Sequence, residues 1–331
     1  MFYPNIEVVD MHTGGEPVRI ITHGYPAIEG ETILDKRRFV TEHLDHLRKF
    51  LMFEPRGHKE MYGALLVEPN LPDADLAVLF MHNEGYSTMC GHAVIALARY
   101  AIDEGIVAKQ ESTTRVGIEC PCGLVTVDVD IASGSASFVS VPAFPAYQDK
   151  KVKLDDGREV LVDISYGGAF YALVEDRVLG VDIEHDDVQR LTAAAVEVTE
   201  CVKAQVDIVH PDSDDLGFLY GTIITDSHLG IGESTRNICV FADEQVDRSP
   251  TGSGVTARMA LSHAQGKVAA GEAVTFKSIV DSSFVAYVVD TLSLGEQAAV
   301  RVQVSGMAYY TGRATFMFDE GDDLGQGFLC R

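Results

Sequence analysis

Met89-Cys90-Gly91-His92 and Pro250-Thr251-Gly252-Ser253 are the two stretches on which the reading of this chain turns. Laid over one another, they put Cys90 on Thr251, Gly91 on Gly252, Val94 on Val255 and Ala96 on Ala257. Further along, Gly105 falls on Gly266 and Val107 on Val268. Each stretch passes from a small nucleophile-type residue, through Gly, into an apolar helix that stops at a Gly. The offset of 161 positions is about half of the 331 residues, as two copies of one supersecondary unit would give.

The first predicted helix, Ala93 to Ile102, is apolar nearly all round and therefore belongs inside the molecule. Gly105 is placed to end it as a C′ residue. The second, from Val255 to Gln265, is more polar and ends at Gly266. The first N–H groups of a helix have no intrahelical partner and sit at the positive end of its dipole. A thiol placed there is acidified, and the thiolate is the reactive form. The N–H groups of Gly91, His92, Gly252 and Ser253 would hold a carboxylate. Two such copies facing one another would bind an anion and present Cys90 to it. The plainer alternative stands level with this on these features alone. Cys90 is then an inert thiol packing a helix start, and Thr251 an ordinary N-cap.

The chain's length suits two domains. A hydrophobic content of 46% marks a globular protein. A net charge of −24 argues against nucleic acid, which needs a basic footprint, and against anionic membrane surfaces. The acids are dispersed, as on a solvated surface. The start, Met1-Phe2-Tyr3-Pro4-Asn5-Ile6-Glu7, has no basic segment before a long apolar core, so no secretory signal is expected. No apolar run reaches transmembrane length. The six cysteines form no Cys-x-x-Cys pair, and Cys120-Pro121-Cys122 is not a zinc spacing. They are expected to be reduced, in a cytoplasmic protein without metal.

Ile6 to Met11 opens as a strand, followed by the turn-rich His12-Thr13-Gly14-Gly15-Glu16-Pro17. Lys36 to Leu51 reads as one amphipathic helix. Strands are expected at Ala64–Val67, Leu76–Met81 and through Val116–Val141, where Val125, Val127, Val129 and Ile131 alternate with polar residues. Pro142 to Lys151, with two prolines and no period, reads as a crossover. Beyond it come strand signals from Val160 to Val174, a helix from Asp186 to Lys203, and strands at Phe218–Thr225, Ile238–Ala242, Ala273–Phe276, Phe284–Asp290, Ala299–Val304 and Ala314–Phe318. The expected architecture is α+β in two similar halves. One half is residues 1–142 with about 305–331 and carries Cys90; the other is 143–304 and carries Thr251.

Gly252-Ser253-Gly254-Val255-Thr256-Ala257 fits the degenerate dinucleotide pattern, but it lies late in the chain and outside any regular βαβ series. His12, His58 and His92 each neighbour a glycine, with no His-x-x-x-His pair to suggest metal. Asp247 is either an ordinary helix-approach carboxylate or the anion that receives a substrate ammonium. Glu54 and Arg56 read as a surface pair.

Together, Met11-His12-Thr13-Gly14-Gly15-Glu16-Pro17, Glu54-Pro55-Arg56-Gly57-His58, Met89-Cys90-Gly91-His92 and Asp247-Arg248-Ser249-Pro250-Thr251-Gly252-Ser253-Gly254 resemble the proline racemase family over nearly the whole chain. The resemblance implies a diaminopimelate epimerase-like fold. Its two pseudo-symmetric halves each curl a sheet around a central helix, with the active site in the cleft between and no cofactor. It implies a small imino-acid substrate and a homodimer. It also implies Cys90 and Thr251 as the catalytic positions, Asp247 on the ring ammonium, and Gly91, His92, Gly252 and Ser253 on the carboxylate.

One departure decides the activity expected. Racemases and 4-hydroxyproline 2-epimerases of this family carry a second Cys where this chain has Thr251. The Cys/Thr arrangement is similar to the trans-3-hydroxy-L-proline dehydratase branch, as is Phe218-Leu219-Tyr220-Gly221-Thr222, where Tyr220 is a candidate pocket residue. Inverting Cα needs an ionisable group on each face, and a threonine hydroxyl does not titrate near neutral pH. A single base can still eject a leaving group from Cβ. The resemblance therefore implies cofactor-independent dehydration to Δ1-pyrroline-2-carboxylate, with Cys90 taking the Cα proton. The alternatives are racemisation or epimerisation of proline or 4-hydroxyproline, and, more distantly, a non-catalytic amino-acid-binding protein.

Overall fold

The computed structural model describes residues 3–226, 234–242 and 244–330. The first two residues of the N-terminal segment read above lie outside them. In chain order the elements are β1 (Ile6–Thr13), β2 (Glu16–His23), α1 (Ile33–His43), α2 (Asp45–Met52), β3 (Gly63–Val67), β4 (Leu76–Met81), β5 (Tyr86–Ser87), α3 (Gly91–Asp103), β6 (Thr113–Cys120), β7 (Gly123–Asp130), β8 (Ala136–Val139), β9 (Phe144–Lys153), β10 (Glu159–Tyr166), β11 (Phe170–Glu175), α4 (Asp176–Leu179), α5 (Val188–Gln205), β12 (Leu219–Thr225), β13 (Thr235–Phe241), β14 (Gln245–Asp247), α6 (Gly252–Ala264), β15 (Val274–Lys277), β16 (Ser283–Leu294), β17 (Gln297–Gly306) and β18 (Ala308–Phe316). The chain divides into two compact units, Met1–Ala136 with Met307–Arg331, and Ser137–Gly306.

In the first unit the strands run β18-β1-β2-β3-β4-β6-β7. Successive pairs are antiparallel, antiparallel, parallel, antiparallel, parallel and antiparallel, with β5 antiparallel to β4. Helix α3 packs against β1, β2 and β18 near one end of this order and against β6 and β7 at the other, so the sheet curls around it. The apolar surface predicted on all sides of the helix is the cause: eleven of its thirteen residues are buried. On β1, Ile6 and Val8 instead join Val40, Leu47, Phe50 and Leu51 of α1 and α2 in a second core on the other face of the sheet.

The second unit repeats the plan. Its order β9-β10-β11-β12-β13-β15-β16 carries the same sequence of antiparallel and parallel pairs, with β14 antiparallel to β13 where β5 pairs with β4. Helix α6 packs on β9, β10, β11, β16 and β17. Leu191, Ala195, Val198 and Val202 of α5 pack on the outer face against Val162, Ala172, Ile224 and Ile238. The similarity of Cys90 and Thr251 in the sequence thus marks equivalent points in two copies of one topology.

Two local readings change. Lys36–Leu51 is two helices broken at Leu44, whose C-cap and N-cap dihedrals (φ −125°, ψ 11°) are shared between them. Thr32 and Asp35 close a capping box that starts α1, and Asp45 opens α2. The supposed crossover 142–151 is mostly strand β9. Pro145 is accommodated because the register with β10 shifts beside it, between Ile164 and Ser165. Glu54 and Arg56 do not pair at the surface. Arg56 donates to the Phe50 and Gly325 carbonyls and lies over the Phe50 ring, 3.9 Å from its centroid. Among the described residues, no helix is long and apolar enough to cross a membrane.

Candidate active site

Strand β5 delivers the chain to Cys90, which caps α3 in extended conformation (φ −147°, ψ 108°). Its Sγ accepts from Ala93 N–H at 3.4 Å, and its carbonyl accepts from Val94 N–H at 3.1 Å, which begins the helical ladder. The N–H groups of Gly91 and His92 precede that ladder. Cys90 as a whole is 5% exposed.

The His92 side chain, which the sequence reading passed over in favour of its N–H, turns back onto this thiol. Nδ1 stands 3.1 Å from Cys90 Sγ, and Nε2 is 3.2 Å from the Pro17 carbonyl. The Thr13 hydroxyl donates to the His92 carbonyl at 2.8 Å, and the Tyr62 ring meets the imidazole edge-on at 4.9 Å. Thr13 and Pro17 belong to the Met11–Pro17 motif, whose structural work is therefore to hold His92 from both sides. Cys120 lies close by. Its thiol is pushed up by burial first, then by Cys122 and Cys90, so it stays protonated.

Asp247, Thr251, Gly252 and Ser253 gather in the second unit. Asp247 ends β14 and is 6% exposed. Its Oδ1 accepts from Ser249 N–H at 2.7 Å, while Oδ2 has no partner among the described residues. Thr251 takes φ 66°, ψ 92°, a left-handed conformation costly for a β-branched residue. The sequence allowed Thr251 to be an ordinary N-cap. It occupies that position, but its side chain makes no capping bond. Its hydroxyl is buried and unpartnered among the described residues.

The turn into α6 is braced from beneath. Asn237 Nδ2 donates to the Pro250 carbonyl at 3.1 Å, and Arg258 donates to Asn237 Oδ1 at 2.9 Å and to Thr235 Oγ1 at 2.7 Å. Burial pulls the Arg258 guanidinium down to about 10, and Asp226 opposes this, so it remains a cation at neutral pH. Ser253 Oγ bonds the Tyr171 hydroxyl at 2.7 Å. Burial drives that phenol well above its usual range, so it is a neutral group here. Tyr220 stands T-shaped to Tyr171 at 5.7 Å. No motif announced Tyr171 and Asn237 on their strands or Arg258 within α6, because a residue that supports a helix start looks like any other residue of its element.

His12 and His58 line a cavity of about 420 Å³ in the first unit, with Asp10, Pro17 and Arg19. His12 Nδ1 accepts from Gly15 N–H, and His58 Nδ1 from Glu60 N–H, each at 3.2 Å. All six cysteines are free thiols. Among the described residues, no three His, Cys, Asp or Glu side chains group as metal ligands.

The family model for proline racemase matches residues 8–329. The trans-3-hydroxy-L-proline dehydratase of Homo sapiens is 53% identical over 337 residues, covering 99% of this chain and 95% of its own. The enzyme of the same name from Colwellia psychrerythraea is 41% identical over 332 residues, covering 99% and 94%. Among solved structures, a hydroxyproline epimerase from Agrobacterium vitis, with trans-4-hydroxy-L-proline bound, superposes with a TM-score of 0.92 at 28% identity. That match covers 98% of this chain and 95% of the other.

Proposed function

The chain belongs to the proline racemase family, and from that premise we propose that it dehydrates trans-3-hydroxy-L-proline to Δ1-pyrroline-2-carboxylate, with Cys90 as its base. The observation that carries this reading is the inequality of two equivalent positions. One copy of the topology presents a thiol at its helix start, and the other a hydroxyl.

In trans-3-hydroxy-L-proline the Cα hydrogen and the hydroxyl share one ring face. Cys90 thiolate takes the Cα proton. The electron pair forms the Cα–Cβ double bond and the hydroxyl departs, protonated from the Cys90 side, as water. The enamine tautomerises to the cyclic imine. Threonine supplies no second base, so no proton is returned to the opposite face and Cα is not inverted.

The backbone N–H groups of Gly91, His92, Gly252 and Ser253 are assigned to the carboxylate, where charge builds as Cα is deprotonated. Each well-aimed donor is typically worth about 3 kcal/mol, or roughly 100- to 1,000-fold in rate. Asp247 is assigned to the ring ammonium through its unengaged Oδ2, and Thr251 to the substrate hydroxyl. The homodimer expected of the family belongs to the same proposal and is read by light scattering.

The test is consumption of trans-3-hydroxy-L-proline by purified protein without added cofactor, with the imine trapped by o-aminobenzaldehyde. Cys90→Ser should lower turnover at least about 1,000-fold, which is roughly 4 kcal/mol of barrier. Undiminished turnover in that variant removes Cys90 as the base. Optical inversion of proline or 4-hydroxyproline by the wild type would replace dehydration with epimerisation.

A further inference from the structure

Strand β14 is only Gln245–Asp247, and its two ends face the same way. Side chains alternate along a strand, so Gln245 and Asp247 share one face and Val246 takes the other. What each face meets identifies it. Val246 and its cross-strand partner Val240 belong to the outer core with α5. Gln245 and Asp247 pair with Phe241 and Cys239 of β13, in phase with Asn237, whose amide holds the Pro250 carbonyl ahead of α6. Gln245 therefore lies on the side of Asp247 and of the approach to Thr251.

Gln245 is 1% exposed, and its Oε1 is buried without a hydrogen-bond partner among the described residues. An amide oxygen left open in the interior costs free energy and calls for an explanation. Its surroundings are aromatic. The Tyr220 ring stacks on Phe241, the cross-strand partner of Gln245, at 5.2 Å and 10°. Tyr220 reaches that place through a bulge: Phe170 pairs with Leu219 and Tyr171 with Gly221, which leaves Tyr220 as the extra residue of β12. Ring faces are negative and favour a cation beside them.

We propose that Gln245 is a substrate-binding residue, whose Oε1 accepts one N–H of the ring ammonium while Asp247 Oδ2 accepts the other. A protonated pyrrolidine nitrogen carries two N–H groups. With its hydroxyl, trans-3-hydroxy-L-proline then offers three donors. The second unit offers three oxygens without partners among the described residues: Gln245 Oε1, Asp247 Oδ2 and Thr251 Oγ1. The carboxamide is neutral, so it adds an acceptor without setting a second negative charge beside Asp247. One carboxylate is left to balance one ammonium. The assignment rests on the dehydration reading for its substrate and deepens it, because it names the group that recognises a secondary ammonium.

The experiment is calorimetric titration of the purified protein with two ligands. L-proline has both N–H groups and the carboxylate but no hydroxyl to lose; cyclopentanecarboxylate has the carboxylate alone. Gln245→Met keeps the length of the side chain and removes the acceptor, and Gln245→Leu removes it in another shape. Both take away an unsatisfied oxygen, so both variants should melt no lower than the wild type. Each should bind L-proline about tenfold or more weakly, as expected for a lost hydrogen bond to a charged group, and cyclopentanecarboxylate as the wild type does. KM for trans-3-hydroxy-L-proline should rise by the same factor as the L-proline dissociation constant. Unchanged L-proline affinity and KM in the variants, or an equal loss for both ligands, would overturn the proposal. A wild type that binds L-proline with this dependence on Gln245 but does not consume trans-3-hydroxy-L-proline would sink the dehydration reading and leave the assignment of Gln245 standing.

Discussion

Replacing Thr251 by valine isolates one hydroxyl. Valine is β-branched and nearly the same shape, so the left-handed backbone at φ 66° and the contacts of the γ-methyl group are kept. What changes is an oxygen that is buried and unpartnered among the described residues. Leaving such a group unsatisfied costs about 1–3 kcal/mol, and replacing it with a methyl group recovers that cost. For a domain of this size, about 1 kcal/mol corresponds to roughly 2–4 °C in Tm. Thr251→Val should therefore melt several degrees higher by differential scanning calorimetry. If the hydroxyl is kept unsatisfied in order to meet the substrate, the same variant should turn over trans-3-hydroxy-L-proline at least about tenfold more slowly, the equivalent of roughly 1.4 kcal/mol of lost interaction. Stability and activity must move in opposite directions. A variant that melts lower while keeping wild-type turnover would refute both halves of the reasoning.

Other outcomes follow from the packing. Burial, with the charges of Arg48 and Arg37 behind it, holds the His82 imidazole down to about 3. The unfolded chain takes up this proton below about 6.5 and the native protein does not. Stability is thus fully present above about pH 6.5 and lost as pH falls towards 3, by up to about 1.4 kcal/mol per unit. Urea titrations of His82→Gln between about pH 6 and 4 should show a shallower slope than the wild type, and an equal slope would exclude this histidine as a source. Adding a Cβ to Gly167 would place it 2.1 Å from the Ser253 carbonyl oxygen and 2.5 Å from Ala257 N, both backbone atoms. Gly167→Ala should cost about 1–3 kcal/mol as α6 retreats, with turnover lost as well; unchanged melting and kinetics would show that the turn gives way instead. Arg48 is 3% exposed, bidentate to Asp45, and donates to the His82 and Asn83 carbonyls. Arg48→Met should destabilise by about 2–4 kcal/mol in chemical denaturation, because two carbonyls lose their donor while Asp45 keeps only Lys49, 3.4 Å away.

The parts of the fold legible in the sequence were those written in short-range patterns. The nearly all-apolar run from Ala93 to Ile102 reads as a helix enclosed by its sheet, and the glycines at 105 and 266 end both central helices with φ 74° and 69°. Alternation from Val125 to Val129 marked β7 as plainly. What was not legible depended on partners far away in sequence. Pro142–Lys151 has no period because β9 is bent by a register shift against β10, so its burial follows the neighbour rather than its own alternation. The break at Leu44 falls within an apolar stripe that continues across it. In the candidate site, the two helix starts after Cys90 and Thr251 were read directly. The place of the His92 ring escaped because it meets a carbonyl at Pro17 and the Tyr62 ring, and no spacing records those encounters.

Because the unit spanning Ser137–Gly306 is continuous while the other is assembled from both ends of the chain, the two do not become complete at the same moment of synthesis. Strand β18 packs on α3, and Arg99 of that helix donates to the Ala308 carbonyl. The sulfur-bearing helix is thus left with an unfinished wall until β18 emerges from the ribosome, after β17 has given the threonine-bearing unit its last strand. A nascent chain stalled just short of residue 308 would carry one finished unit and one open one, the Cys90 thiol still waiting for cover.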